Sequence, residues 1–238
     1  MPQPRSSSKV YLWFATFIST LGTISLPLLL LQPVKPQVDF SFGRSLVGLA
    51  YAGICILGIT AVFYPKECQN NSLISMRGKP TRNNGNLDFP PRISTVGHHP
   101  NCEKFSANRI QIRKNTLCAS CAGLLVGAII ALAGTVLYFF LSTSFFPADP
   151  RILLVSTAGM LLGLVQIMFR GYVKLAVNAV FVLCSFITLV MVDLLAKNLL
   201  MDAYSLAIIV SLLLTRIALS QWNNQRVCSK CGRCSLLL

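Results

Sequence analysis

Charge is what this sequence has least of. Asp, Glu, Lys and Arg make up only 12% of its 238 residues, where a soluble domain carries about a quarter. Acids are scarcest, with seven in the whole chain, and there are two histidines. Several motifs are missing as well. There is no P-loop and no G-x-G-x-x-G, which excludes the common nucleotide-binding folds. No G-x-S-x-G, no H-E-x-x-H and no paired aspartates occur in the apolar segments, which excludes the familiar hydrolytic constellations. C-x-x-C-H is absent, so covalent haem attachment is excluded. No catalytic constellation is recognised, so the sequence leans away from an enzyme without deciding the question.

What the sequence does have is long apolar runs. Hydrophobic residues reach 54% and the mean hydropathy is +0.64. About 20 apolar residues in a helix cross the hydrocarbon core of a bilayer. Six blocks meet or approach that length, at 10–31, 45–64, 119–141, 152–169, 173–195 and 200–219. Backbone in lipid must satisfy its own hydrogen bonds, so each block reads as a helix. The first block, "VYLWFATFISTLGTISLPLLLL", is too long for a signal-peptide core and reads as a retained span. The expected fold class is an all-α membrane protein, a bundle of about six transmembrane helices with a small cytoplasmic Cys/His loop. The expected segments are two helices in 1–64, a basic loop in 65–118, four helices in 119–219 and a Cys-rich tail in 220–238.

The basic residues orient this bundle. Of 21 Lys and Arg, 17 fall in the N-terminus, the 65–118 loop, the 170–174 turn and the C-terminal region. The other set of connections holds four: Lys35, Arg44, Arg151 and Lys197. Short loops rich in Lys and Arg stay in the cytoplasm. The reading is therefore a multi-pass plasma-membrane protein with both termini cytoplasmic. The net charge of +14 then lies on the inner face, where anionic lipid headgroups are the natural partner. Nucleic acid is not expected, because the basic residues are dispersed and aromatics barely alternate with them.

Within the long loop, "FSANRIQIRKNTLC" alternates Ile110 and Ile112 against Arg109, Gln111 and Arg113. This predicts a short strand, followed by a turn at "RKNT". His98, His99 and Cys102 precede the strand, and Cys118 and Cys121 follow it. Such a set suits a tetrahedral zinc ion, with Cys102, Cys118, Cys121 and one histidine as ligands. A metal would also supply the stability that so small a loop lacks. Two other readings stay open. Cys118 and Cys121 could be packing residues at a helix start, as Cys55 and Cys184 are inside spans. They could also be a redox pair, since a helix N-terminus favours thiolates. The tail repeats the question with Cys228, Cys231 and Cys234. These could form a second site, Cys228 and Cys231 could join Cys118 and Cys121 in one four-cysteine site, or the tail could carry reversible acylation.

The stretch from His98 to Gly127 resembles a motif of small multi-pass membrane proteins of archaea and bacteria that have no established activity. The matching residues are His98, His99, Pro100, Cys102, Phe105, Cys118, Cys121, Gly123, Leu124 and Gly127. The resemblance covers about an eighth of the chain and implies a membrane topology and a metal site only. The chain departs from the pattern where another polar residue is expected, and Asn108 and Ser120 are the candidates for that place.

Polar residues inside the spans are few. Gln166, Asn178 and Asp193 stand out, while Lys174 and Arg216 are expected to snorkel toward the interface. Gly123-x3-Gly127 and Gly159-x3-Gly163 would let the third and fourth helices pack closely. Two functions follow. The favoured one is a binding, scaffold or sensor protein whose zinc-ordered loop meets a protein partner. The other is a small transporter or membrane-enzyme component with a polar cavity near Gln166, Asn178 and Asp193. A polar stripe inside the bundle favours the second, and a dry interior favours the first.

Overall fold

The computed structural model describes residues 6–30, 41–63, 81–83, 86–88, 95–96, 99–100, 109–112, 115–143 and 146–230. Six helices long and apolar enough to cross a membrane account for most of these residues. They are α1 (Ser6–Leu30), α2 (Ser41–Phe63), α3 (Ala119–Thr135), α4 (Pro150–Leu162), α5 (Gly171–Ala196) and α6 (Leu199–Lys230). The expected fold class is thus the observed one. α3 continues through a widened turn at Val136–Phe140, and α4 through a tightened one at Gly163–Met168. With these turns included, they span 22 and 19 residues, within a residue of the lengths of the third and fourth apolar blocks.

Local chemistry sets the helix ends. Asp149 caps α4 by accepting the backbone N–H of Arg151 at 2.8 Å, with Pro150 in the first turn. Proline suits that position because its missing N–H would have had no partner there. α5 stops at Lys197, whose φ of 47° is left-handed and whose N–H donates to Asp193 O at 3.1 Å. The Asn198 side chain then accepts the Leu200 N–H at 2.9 Å and opens α6. α6 runs to Lys230, so its end extends past the expected span and takes up half of what reads as tail. Near that end the Arg226 guanidinium lies 5.5 Å from the centre of the Trp222 ring, a pairing suited to the membrane interface.

α5 is the axis of the bundle. It packs on α3, α4 and α6, and 56% of its span is buried, against 17% for α1. Both glycine pairs explain how neighbours come so close. A Cβ on Gly123 would strike the Leu175 carbonyl oxygen of α5, and one on Gly127 would lie 2.9 Å from Ala179 O. On α4, a Cβ at Gly159 would strike the Cys184 sulfur, and one at Gly163 the Phe181 ring. Helices three and four do pack closely, each against α5. A bilayer offers no hydrophobic gain for helix association, so close van der Waals packing must supply it.

Among the described residues outside the spans are three two-stranded antiparallel ribbons. These are β1 (Thr81–Asn83) with β2 (Asn86–Asp88), β3 (Thr95–Val96) with β4 (His99–Pro100), and β5 (Arg109–Ile112) with β6 (Asn115–Cys118). The last is the strand expected from the Ile110/Ile112 alternation. Its register pairs Arg109 with Cys118 and Ile110 with Leu117. Ile110 is buried and β5 touches α5, so the ribbon rests on the bundle and feeds directly into α3.

Candidate functional site

The bundle interior carries polar side chains. Lys174, Asn178, Ser185 and Thr188 of α5 are all buried. At 100° per residue they project within about 80° of one another. Ser156 of α4 accepts a hydrogen bond from Thr188 at 2.8 Å, and Ser185 donates to Phe181 O at 2.9 Å. On the far side of α6, Ser19 of α1 bonds Ser211 and Thr215, each at 2.8 Å. Hydroxyls on a helix usually return their proton to a carbonyl one turn back, so the cross-helix pairs are the more informative ones. A layer of charge closes the stripe at each end.

One layer is built on Arg216. Its Nη2 donates to Gln166 Oε1 at 2.9 Å and to Asn178 Oδ1, and its guanidinium carbon is 3.7 Å from the centre of the Phe181 ring. Arg216 is only 4% exposed. The expectation that it snorkels is therefore wrong, and Lys174, 8% exposed, is buried too. Geometry explains the correction. The side chain of Arg216 points into the bundle, where two amide oxygens and an aromatic face meet it, and not along the helix toward water. Asn178 is fixed in turn by donating to Lys174 O at 2.5 Å.

The other layer holds the acids. Asp193 Oδ2 accepts the Tyr138 hydroxyl at 2.5 Å and lies 3.2 Å from Arg44 Nε. Arg44 also stacks on the Tyr138 ring at 4.4 Å and donates through Nη2 to Tyr138 O at 3.3 Å. Asp202, in the first turn of α6, is completely buried and within electrostatic reach of Asp193 and Arg44. Among the described residues neither of its carboxylate oxygens has a hydrogen-bond partner, nor has Asp193 Oδ1. Arg44 reads as part of a connecting loop in the sequence, and Asp202 stands at the edge of the sixth apolar block. Both belong to helices here, and the polar interior they help to form was missed. Asn178 and Asp193 are 15 residues apart on α5, about 22 Å along the axis. So Gln166 and Asn178 share a site, while Asp193 belongs to a second one.

The cysteines lie beyond the Arg216 layer. Cys118 ends β6 and is buried, and Cys121 is in the first turn of α3. Their thiols are close enough to influence each other electrostatically, and Lys174 of α5 is close enough to influence both. The pair therefore presents two sulfurs on one side of a helix start, as a C-x2-C ligand pair requires. His98 and Cys102 lie outside the described residues, and so does the side chain of His99 on β4. Cys231 and Cys234 also lie outside them, as does the side chain of Cys228 near the end of α6. Among the described residues no group of three His, Cys, Asp or Glu side chains converges.

No family model, curated protein or solved structure matches the chain. The functional reading therefore rests on the chain's own chemistry.

Proposed function

We propose that this integral membrane protein is a small ion-transport component that moves its substrate along the polar side of α5. The observation that carries this reading is the buried stripe Lys174–Asn178–Ser185–Thr188, with Arg216 near one end and Asp193 and Asp202 near the other. Ionisable groups in a membrane interior are costly to bury, and they are characteristic of substrate and proton pathways. A scaffold needs no such stripe. With Lys174, Arg216 and Arg44 set aside because they lie inside the bundle, the remaining 15-to-3 split of basic residues supports a plasma-membrane protein with cytoplasmic termini, and anionic headgroups would meet its basic inner face. Ion flux into liposomes containing the purified protein tests the reading. Flux should exceed that of empty liposomes and fall in Thr188→Val and Asn178→Leu. Flux equal to that of empty liposomes for every small inorganic ion tried overturns it.

A second element of the reading is a zinc-ordered loop at the cytoplasmic mouth. It is supported by the adjacent thiols of Cys118 and Cys121 and by the resemblance of the His98–Gly127 stretch to its motif family. In this reading His98 or His99 and Cys102 complete the tetrahedron, and the ordered loop forms the surface that an unidentified protein partner meets. Metal content of the purified protein before and after Cys118→Ser/Cys121→Ser tests it. Equal zinc in both would exclude this pair as ligands.

A further inference from the structure

The two layers differ in their charge balance. Asp193 and Asp202 are the only carboxylates within the described helices, and both belong to the layer that contains Arg44. Among the described residues the Arg216 layer has no acid. A guanidinium does not give up its proton in a protein, so Arg216 brings a full positive charge into the bundle. Of its five N–H bonds only those of Nη2 are used. Nε and Nη1 are buried and have no partner among the described residues. The acceptors it does have are neutral amides, and the Phe181 ring contributes only a weak quadrupole attraction. An uncompensated buried charge costs several kcal/mol or so, and an anion at the unused N–H bonds would remove most of that cost.

We propose that the Arg216 layer is a binding site for a small monovalent inorganic anion of the halide or nitrate class. The proposal concerns occupancy of the site and does not require that the ion be transported. One guanidinium and one monovalent anion leave the layer neutral, whereas a divalent oxyanion would add uncompensated charge and a larger dehydration cost. The Phe181 wall favours weakly hydrated ions for the same reason. Depth separates a free ion from a lipid phosphate. Arg216 lies seven residues inside the end of its span at Asn223, about 10 Å along the helix, and a phosphate at the headgroup level does not reach that far.

Detergent-purified full-length protein tests this with radiolabelled chloride in a scintillation proximity assay, at constant ionic strength in gluconate. Saturable binding of one chloride per chain, displaced by nitrate, is expected. Arg216→Gln should weaken it about 100-fold, the scale for losing a charge-assisted contact. Arg216→Lys, which keeps the charge with fewer donors, should weaken it about tenfold. Gly163→Ala pushes Phe181, and the guanidinium stacked on it, while leaving the charge in place, so it too should weaken binding. No saturable binding to the wild type overturns the proposal, as does unaltered binding in a folded Arg216→Gln or, should that variant not fold, in Gly163→Ala. Retention of one phospholipid per chain in native mass spectrometry, with chloride binding only after its removal, would assign the site to a lipid phosphate and also overturn it. Chloride binding without flux would leave this inference standing and sink the transport reading.

Discussion

Replacing Tyr138 with Phe and Asp193 with Asn, singly and together, measures whether the acidic layer is an interacting unit. Tyr138 is buried to 1% exposure and its hydroxyl reaches Asp193 Oδ2 at 2.5 Å. Phe keeps the ring, so the stacking on Arg44 and the edge contact with Phe139 at 4.8 Å remain. Only the hydrogen bond is lost. A hydrogen bond to a charged group contributes about 1.5–3 kcal/mol in soluble proteins. Between membrane helices the measured couplings average about 0.6 and reach about 1.7 kcal/mol. This bond is short, buried and made to a carboxylate held by Arg44, so its coupling belongs at the top of the membrane range, about 1.5 kcal/mol. Asp193→Asn preserves shape but strands Arg44. Arg44 is 27% exposed, so water relieves part of the penalty. The expected loss is about 2–3 kcal/mol, below the 3–5 or so of a wholly buried broken pair. Unfolding in mixed SDS micelles, followed by a tertiary-structure signal, gives the four free energies. The double variant should be less destabilised than the sum of the single ones by about 1.5 kcal/mol. A coupling below about 0.5 kcal/mol would refute the claim that Tyr138 and Asp193 act together.

Other consequences can be measured independently. Gly127→Ala would place a Cβ 2.9 Å from both Ala179 O and Val182 Cβ. It should destabilise the bundle by about 1–3 kcal/mol, whereas Gly53→Ala, with nothing within 4 Å, should change little in the same unfolding assay. For topology, a single cysteine at position 147 in an otherwise Cys-free chain should react with an impermeant label from outside the cell, and reaction only from the cytoplasm would reverse the orientation. The purified protein should contain about one zinc per chain. Cys118→Ser with Cys121→Ser should remove it, and truncation from Val227 should leave it in place. Loss on truncation would instead join loop and tail in one site.

The spans were legible because bilayer thickness imposes a length that composition reveals without any knowledge of packing. The β5–β6 ribbon was legible from period-two alternation, with Ile110 on the side facing the bundle. The polar interior was not. Arg216 lies near the end of an apolar block, and a sequence does not say whether such a side chain follows its helix outward or turns inward to Gln166 and Asn178. Arg44 and Asp202 each fall at the edge of a span, where a shift of a few residues moves a charge from a loop into a helix. Their burial depends on partners from other helices, Asp193 and Tyr138 among them, and no local pattern encodes a contact between residues 44 and 193. The grouping of Gln166, Asn178 and Asp193 as one cavity failed for a simpler reason, since helical rise puts the last of them in a different layer.

The glycines connect the packing to the chemistry. Gly123 and Gly127 bring α3 against the Leu175–Val182 stretch of α5, and Gly159 and Gly163 bring α4 against Phe181 and Cys184. Asn178 lies between these contacts, and the Phe181 ring that Gly163 admits is the one beneath Arg216. A larger residue at either pair would push a neighbour away from the same turns of α5 that hold the guanidinium. The small residues therefore do more than allow association. They let α5 lie between two backbones with its polar side turned inward, in a chain whose remaining surface is apolar enough for lipid. Moving the same polar groups to the lipid-facing side of α5 would expose Asn178 and Lys174 to hydrocarbon at a cost no apolar contact there could offset. Close packing on one axis and a charged interior are thus two consequences of one arrangement, which is why a substitution at Gly163 should be felt at Arg216.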